Sequence, residues 1–408
     1  MALPSGAELL PAERRVVASL AAIYATRLLG LFLLLPVLAL HAGSLPGGTP
    51  LLAGLAVGAY GLTQALMQIP FGVWSDRIGR KPLIIVGLVL HIAGSALGAV
   101  AGTAWSIVFA RVVQGLGAVS GPVMALLADL TRPASRTRAM FIIGMSIGLS
   151  FVLSLIGGPL LAGAIGVAGV FILIGAFGVL ALLLVLFAVP AEAPRRETTG
   201  GRNSWRRALT GALLPHYAGV FVLHLTLTAT FIAVPHALRD LQGIAAPDHW
   251  RIYLAVFVVS LVLTVPLVLW SERSRKSGRV MAGGVVLLAV ALAALVWASA
   301  DFRLMAAALI CYFGAFNFLE ARLPASLTEA AGEESRGAAM GLFATSQFAG
   351  AFAGGLAGGA LLGSPWAIPG VFLFAVLAVL VWLPWAAATE SRRSGPIDAA
   401  PAAAGRLQ

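Results

Sequence analysis

Four charged side chains fall inside long apolar stretches of the sequence: Arg27, Arg111, Glu320 and Arg322. A charge near the centre of a bilayer costs at least about 2.5–3.5 kcal/mol, so each needs a partner or a wet cavity. Glu320 is the one acid in such a stretch. It can carry a proton or meet a cationic ligand; the other reading is a fixed ion pair with one of the arginines. Asn317, three residues earlier, shares its helix face, whereas Arg322, two residues later, does not. Arg27 and Arg111 could bind an anionic group or tune a nearby acid, or could be satisfied structural arginines. Arg322 lies nearer its stretch's end, where it can reach the interface. His224, with Thr228 one turn on, and His91 are either switches near neutral pH or neutral packing histidines. Gln64, Gln68, Gln114 and Gln347 could line a cavity, or could hydrogen-bond between helices.

The surrounding elements follow from composition. The chain is 60% hydrophobic and 11% charged, against about 25% charged for a soluble globule. Its mean hydropathy is +0.96. Too few charges remain to cover a water-facing surface, so lipid is the solvent for most of the chain. Apolar runs of spanning length occupy 16–40, 51–73, 83–102, 105–127, 138–162, 167–189, 214–238, 251–270, 280–299, 304–327, 337–361 and 367–388. Inside lipid the backbone must satisfy its own hydrogen bonds, so each run is a helix. The expectation is an all-α membrane protein with twelve transmembrane helices in two pseudo-symmetric six-helix bundles. The run from 16 is too long for a signal-peptide core.

Basic residues orient the spans. With the N-terminus in the cytoplasm, 21 of the 27 Lys and Arg fall in cytoplasmic segments and three, Arg239, Arg251 and Arg303, fall outside. Positive charge collects on the cytoplasmic side, so both termini are expected there. This asymmetry explains the net charge of +11 without a nucleic-acid partner. The expected division is a cytoplasmic segment 1–15, bundles 16–189 and 214–388, a cytoplasmic linker 190–213 and a disordered tail 389–408. The linker's arginines are topogenic or touch the lipid surface. Cys311 is the single cysteine, so no intramolecular disulfide forms.

The halves repeat at an offset near 200 residues. Trp74-Ser75-Asp76-Arg77 follows span two, and Trp270-Ser271-Glu272-Arg273 follows span eight. Asp129 precedes Arg136 by seven residues, as Glu329 precedes Arg336. Such duplication is the mark of transporters that seesaw around a site between their halves.

The loop after span two reads Gly72-Val73-Trp74-Ser75-Asp76-Arg77-Ile78-Gly79-Arg80-Lys81-Pro82. Gly72 allows close packing at the span's end, and Gly79 permits a tight reversal. Asp76 can face a helix N-terminus. Arg77, Arg80 and Lys81 can pair with acids and hold the loop in the cytoplasm. This stretch resembles the major facilitator signature G-x-x-x-D-R-x-G-R-K. The resemblance implies that Asp76 meets the helix starting near Gly337, that Arg80 meets Asp129, and that both latch the halves in the outward-open state.

Arg111-Val112-Val113-Gln114-Gly115-Leu116-Gly117 is similar to the superfamily's R-x-x-Q-G-x-G, linked there to proton coupling. Gly157-Gly158-Pro159-Leu160-Leu161-Ala162-Gly163 resembles its antiporter motif, with Ser154 and Ala162 where glycines stand; the plainer reading is helix packing. Finer resemblance is to the YajR-type branch of drug:proton antiporter-like proteins. Its carriers include Arg27-Leu28-Leu29-Gly30, Leu223-His224, Asn317-Phe318-Leu319-Glu320-Ala321 and Ser346-Gln347-Phe348. That branch carries a soluble domain after span twelve; here only some twenty residues remain, so its regulation is expected to be absent.

The function expected is secondary transport of a small amphiphilic molecule across a bacterial inner membrane. Proton-coupled efflux is the first reading and symport or lipid movement the alternative. A non-transporting receptor or scaffold is the competing class. The protein is expected to be monomeric in lipid, driven by a proton gradient, with no cofactor or metal. No H-E-x-x-H, G-x-S-x-G or nucleotide-binding loop occurs, so an enzyme is not expected.

Overall fold

The computed structural model describes residues 8–190, 206–273, 277–332 and 335–391. Residues 1–7 and most of the expected linker 190–213 and tail 389–408 lie outside these. Every regular element among the described residues is helical. The spans are Pro11–Leu34 with Leu38–Ser44 (one), Pro50–Ile78 (two), Arg80–Ala99 (three), and Ala104–Gly115 with Ser120–Leu130 (four). Pro133–Phe187 holds spans five and six. Leu214–His236, His249–Arg273, Ser277–Ala298, Phe302–Ala330, Arg336–Leu362 and Ala367–Ser391 are spans seven to twelve. The protein is an all-α membrane protein with twelve spans in two six-helix bundles.

Three boundaries differ from the periodicity of the sequence, each for a local reason. Span one breaks around Pro36, which removes a backbone donor. Span four unwinds between Gly115 and Ser120. Spans five and six form one 55-residue helix bent at Gly166, whose φ of 71° suits glycine. The repeat is visible in the caps: Thr103 accepts from Ser106 N at the start of span four, and Asp301 accepts from Leu304 N at the start of span ten.

The first bundle's core is divided. One apolar cluster joins Val17, Leu20, Ile84, Leu88 and Leu126; another joins Leu34, Ala56, Ile107 and Phe171. Between them lies a layer of buried polar side chains, Arg27, Gln64, His91, Arg111 and Gln114. The second bundle has a single cluster, which reaches across to Phe151 and Leu155 of span five.

The halves touch along two seams. Span eleven packs on span two, and span five on span eight. On the first seam, a side chain at Gly54 would collide with Gly355 and Gly359, and one at Gly58 with Phe352. Small residues let these backbones approach closely. The seam is tight at the end of the molecule opposite Pro11 and Ser391. At the other end, Gly72 and Gly337 each face open space among the described residues. The expectation that Gly72 serves close packing is therefore corrected: no described neighbour presses on it.

Candidate functional site

Span four unwinds at Gly117, and this break decides where the first bundle's polar residues go. An unwound backbone leaves carbonyls that lipid cannot satisfy. Gln64 Nε2 donates to Gly115 O at 2.8 Å and to Gly117 O at 3.3 Å. Arg27 Nη2 donates to Gly117 O at 2.8 Å and to the Tyr60 hydroxyl at 3.0 Å, and Nη1 to Ser120 Oγ at 2.8 Å. Arg111 bonds Gln114 Oε1 and stands 4.6 Å over the Tyr60 ring, a cation–π contact. Gln114 Nε2 donates to Ser95 Oγ at 2.9 Å. Tyr60 thus joins both buried arginines, one through its hydroxyl and one through its face. His91 is enclosed in this layer, 1% exposed.

Two pairs of readings that the sequence leaves open are narrowed by this geometry. Gln64, Gln68 and Gln114 do not line an open cavity: they are 0%, 6% and 0% exposed, and the broken helix takes the amide of Gln64 and the buried arginine that of Gln114. Arg27 and Glu320 do not form an ion pair, since Arg27 is already held by three acceptors of its own bundle.

In the second bundle Glu320 stands 39% exposed on span ten, with Oε1 3.9 Å from His224 Nε2 of span seven. His224 Nδ1 lies 3.2 Å from Val220 O, and Gln347 Nε2 of span eleven lies 2.7 Å from His224 Nε2. Asn317 Nδ2 is buried near by without a partner. Three helices therefore meet at one histidine. Arg322 pairs with Glu329 at 3.6 Å rather than with Glu320. Phe316 meets the His224 ring edge-on, with centroids 6.0 Å apart. From Phe316 aromatic contacts run through Tyr312 and Phe313 to Phe257, then cross to Phe151 and Phe32 of the first half. A carboxylate and an imidazole beside an aromatic wall can exchange a proton with water and hold a cation or an amphiphile.

At the open end, Gly79 reverses the chain with φ 109°, a conformation suited to glycine. Arg80 Nε donates to Asp129 Oδ2 at 3.0 Å, while Nη1 reaches Asp76 Oδ1 at 2.9 Å and Ser75 Oγ at 3.0 Å. Arg77 is exposed. Lys81 Nζ donates to Val189 O at 2.8 Å and Leu186 O at 3.3 Å, so it also closes the end of span six, where a cation is favoured. In span five, Gly158 lies against Leu33 and Pro36 of span one, Gly157 against Leu33, and Gly163 against Pro247. Pro159 is accommodated within the helix.

Residues not anticipated from the sequence complete both sites. Tyr60 and Ser120 carried no motif signal, and Phe348 was visible only as part of a resemblance. Glu13 was also missed: it accepts from Arg132 N, Nε and Nη2 and from Ser135 Oγ, tying the start of span one to the loop before span five. An acid just ahead of the first apolar run was the available clue.

Comparison with known proteins agrees with this geometry. The model of the Major Facilitator Superfamily matches residues 20–245 and 217–407. The chain belongs to that superfamily. Among its relatives is the inner membrane transport protein YajR of Escherichia coli K12, 38% identical over 377 residues, covering 91% of this chain and 83% of that protein. Another is the multidrug resistance protein MdtH of Cronobacter sakazakii, 31% identical over 331 residues, covering 77% of this chain and 78% of that protein. Among solved structures, a bacterial homologue of the human lysosomal transporter Spinster, in an inward-facing and unoccupied conformation, aligns with a TM-score of 0.74 at 16% identity, over 94% of this chain and 99% of that one. This major facilitator protein is accordingly a transporter and not an enzyme.

Proposed function

We propose that this major facilitator protein exports a small amphiphilic molecule across the bacterial inner membrane, exchanging it for protons carried by Glu320 with His224. The observation that carries the reading is the placement of Glu320, the one acid inside the apolar runs: it is 39% exposed, and the partner within ion-pair distance is a histidine 3.9 Å away rather than an arginine. A fixed Arg–Glu pair would have argued for a structural role. The name of one relative, an inner membrane transport protein, supports the inner membrane, that of another, a multidrug resistance protein, favours export, and the basic loops favour cytoplasmic termini. In that orientation the seam at Gly54 and Gly58 closes the outer side and the cleft opens to the cytoplasm. The Arg80–Asp129 pair then stays within its half, and the latch of Asp76 on the start of span eleven belongs to the opposite state. The carrier works as a monomer in lipid and needs no cofactor, since a proton gradient supplies the drive.

The test uses the full chain in proteoliposomes with an imposed pH gradient and a panel of cationic, anionic and neutral amphiphiles first ranked by thermal shift. Substrate movement coupled to internal pH is expected for the native protein. Glu320→Gln is expected to bring gradient-driven movement down to the level of empty liposomes. Undiminished, still pH-dependent transport by Glu320→Gln would remove this reading, and movement of protons and substrate in the same direction would replace antiport by symport.

A further inference from the structure

Two consecutive residues of span eleven serve different halves. Gln347 lies on His224 of its own bundle, with 2.7 Å between the nitrogens. Phe348 meets Tyr60 of the other bundle, with ring centroids 6.3 Å apart. One turn and two turns further on, Phe352 and Gly355 close the seam against Gly58. The helix that seals the outer end is therefore hydrogen-bonded to the titratable site at the point where the seal begins.

The proton on His224 can be placed from its partners. Val220 O can only accept, so in the neutral ring Nδ1 carries the hydrogen and Nε2 presents its lone pair to the Gln347 amide. A proton added at Nε2 turns this acceptor into a donor that faces the amide's own N–H groups, so Gln347 keeps the contact only by turning its Oε1 inward in competition with Glu320. Glu320 Oε1, 3.9 Å from the same nitrogen, is then the stronger acceptor, because a hydrogen bond between charged groups is about twice as strong as a neutral one. Among the described residues Glu320 is the only charged side chain within ion-pair distance of His224; spans two, eleven and twelve bring none to it. The arriving proton exchanges a tie between spans seven and eleven for a tie between spans seven and ten.

We propose that Gln347 is a positioning residue that binds span eleven to span seven only while His224 is neutral, so that protonation of His224 releases the helix that seals the outer side. This rests on the proton-coupled reading above and adds the path by which the proton moves the halves.

The test follows the outer seam directly. Spin labels are placed at Leu51→Cys and Trp366→Cys, both exposed outer-end positions, in a Cys311→Ser background, and their separation is measured in lipid nanodiscs at about pH 8 and about pH 5.5, across the range in which histidine titrates. The native side chains are expected to give longer separations in acid. Gln347→Met, of similar length but without a hydrogen bond, is expected to give the same distribution at both pH values. Gln347→Glu offers only acceptors and binds protonated His224 more tightly, so its response is expected to reverse, with acid closing the seam. A mere packing role would not reverse the sign, and a lowered thermal midpoint in one variant leaves the other to decide. If both Gln347 variants keep the native response while His224→Phe abolishes it, the relay is overturned and the coupling site stands. If the native protein shows no acid response, the relay is overturned, and transport by Glu320→Gln in proteoliposomes decides the coupling site separately.

Discussion

A buried arginine in a membrane protein invites a ligand, but the acceptors around it decide its role. Arg27 is 3% exposed and meets a hydroxyl, a phenol and a backbone carbonyl freed by the break in span four. Its charge is thus dispersed over fixed dipoles of its own bundle. Arg27→Met would take the guanidinium donor from Gly117 O, Ser120 Oγ and the Tyr60 hydroxyl, leaving Gly117 O with Gln64 alone, and is expected to cost about 1–3 kcal/mol. Thermal unfolding of the purified variant measures this. A variant of native stability whose substrate affinity has collapsed would instead assign Arg27 to the ligand. Tyr60→Phe separates the two arginines: it keeps the ring under Arg111 and removes the acceptor from Arg27. It is expected to lower stability by about 0.5–1.5 kcal/mol, the net worth of one hydrogen bond.

The helices themselves were legible in the sequence because their signal is solvent-driven. A run of spanning length must be a helix in lipid wherever it sits in the fold. Their interruptions were not legible in the same way. Gly115-Leu116-Gly117 carries a motif, yet nothing in the order of residues says that the helix opens there. The opening survives because Gln64 and Arg27, on other spans, bond to the exposed carbonyls. Glycine at a reversal was a sounder signal: Gly79 was expected to turn the chain, and its φ is 109°. Gly79→Ala places a side chain in a left-handed conformation and is expected to destabilise the protein by about 1–2 kcal/mol. Thermal unfolding beside Gly72→Ala, which faces open space and is expected to be neutral at this position, isolates the conformational effect.

At the scale of the molecule, transport requires the seam between spans two and eleven to part and close. Gly355 sits against Gly54 and Gly58 with no room for a side chain. Gly355→Leu is expected to hold the outer ends apart, abolish transport and leave each bundle folded. Cysteine accessibility from the outside, together with a thermal midpoint, would show this; normal transport by the variant would argue against a moving seam. At the other end, Glu13 gathers Arg132 and Ser135 around the start of span one. Glu13→Gln keeps the shape but loses the charge, and a lower thermal midpoint is expected.

Amino-acid order sets what lies close along one helix and what solvent each stretch requires. It was enough for the lipid environment, the twelve spans, the duplicated halves, the intramembrane charges and the signature that names the superfamily. Partners across the fold were beyond it, because helical spacing tells which residues share a face but not what that face meets. Arg27 found Ser120 across 93 positions, and His224 found Gln347 across 123. Only the packing of the helices, set by small residues such as Gly54 and Gly355 that bring backbones together, enclosed one arginine among dipoles and left Glu320 open beside a histidine.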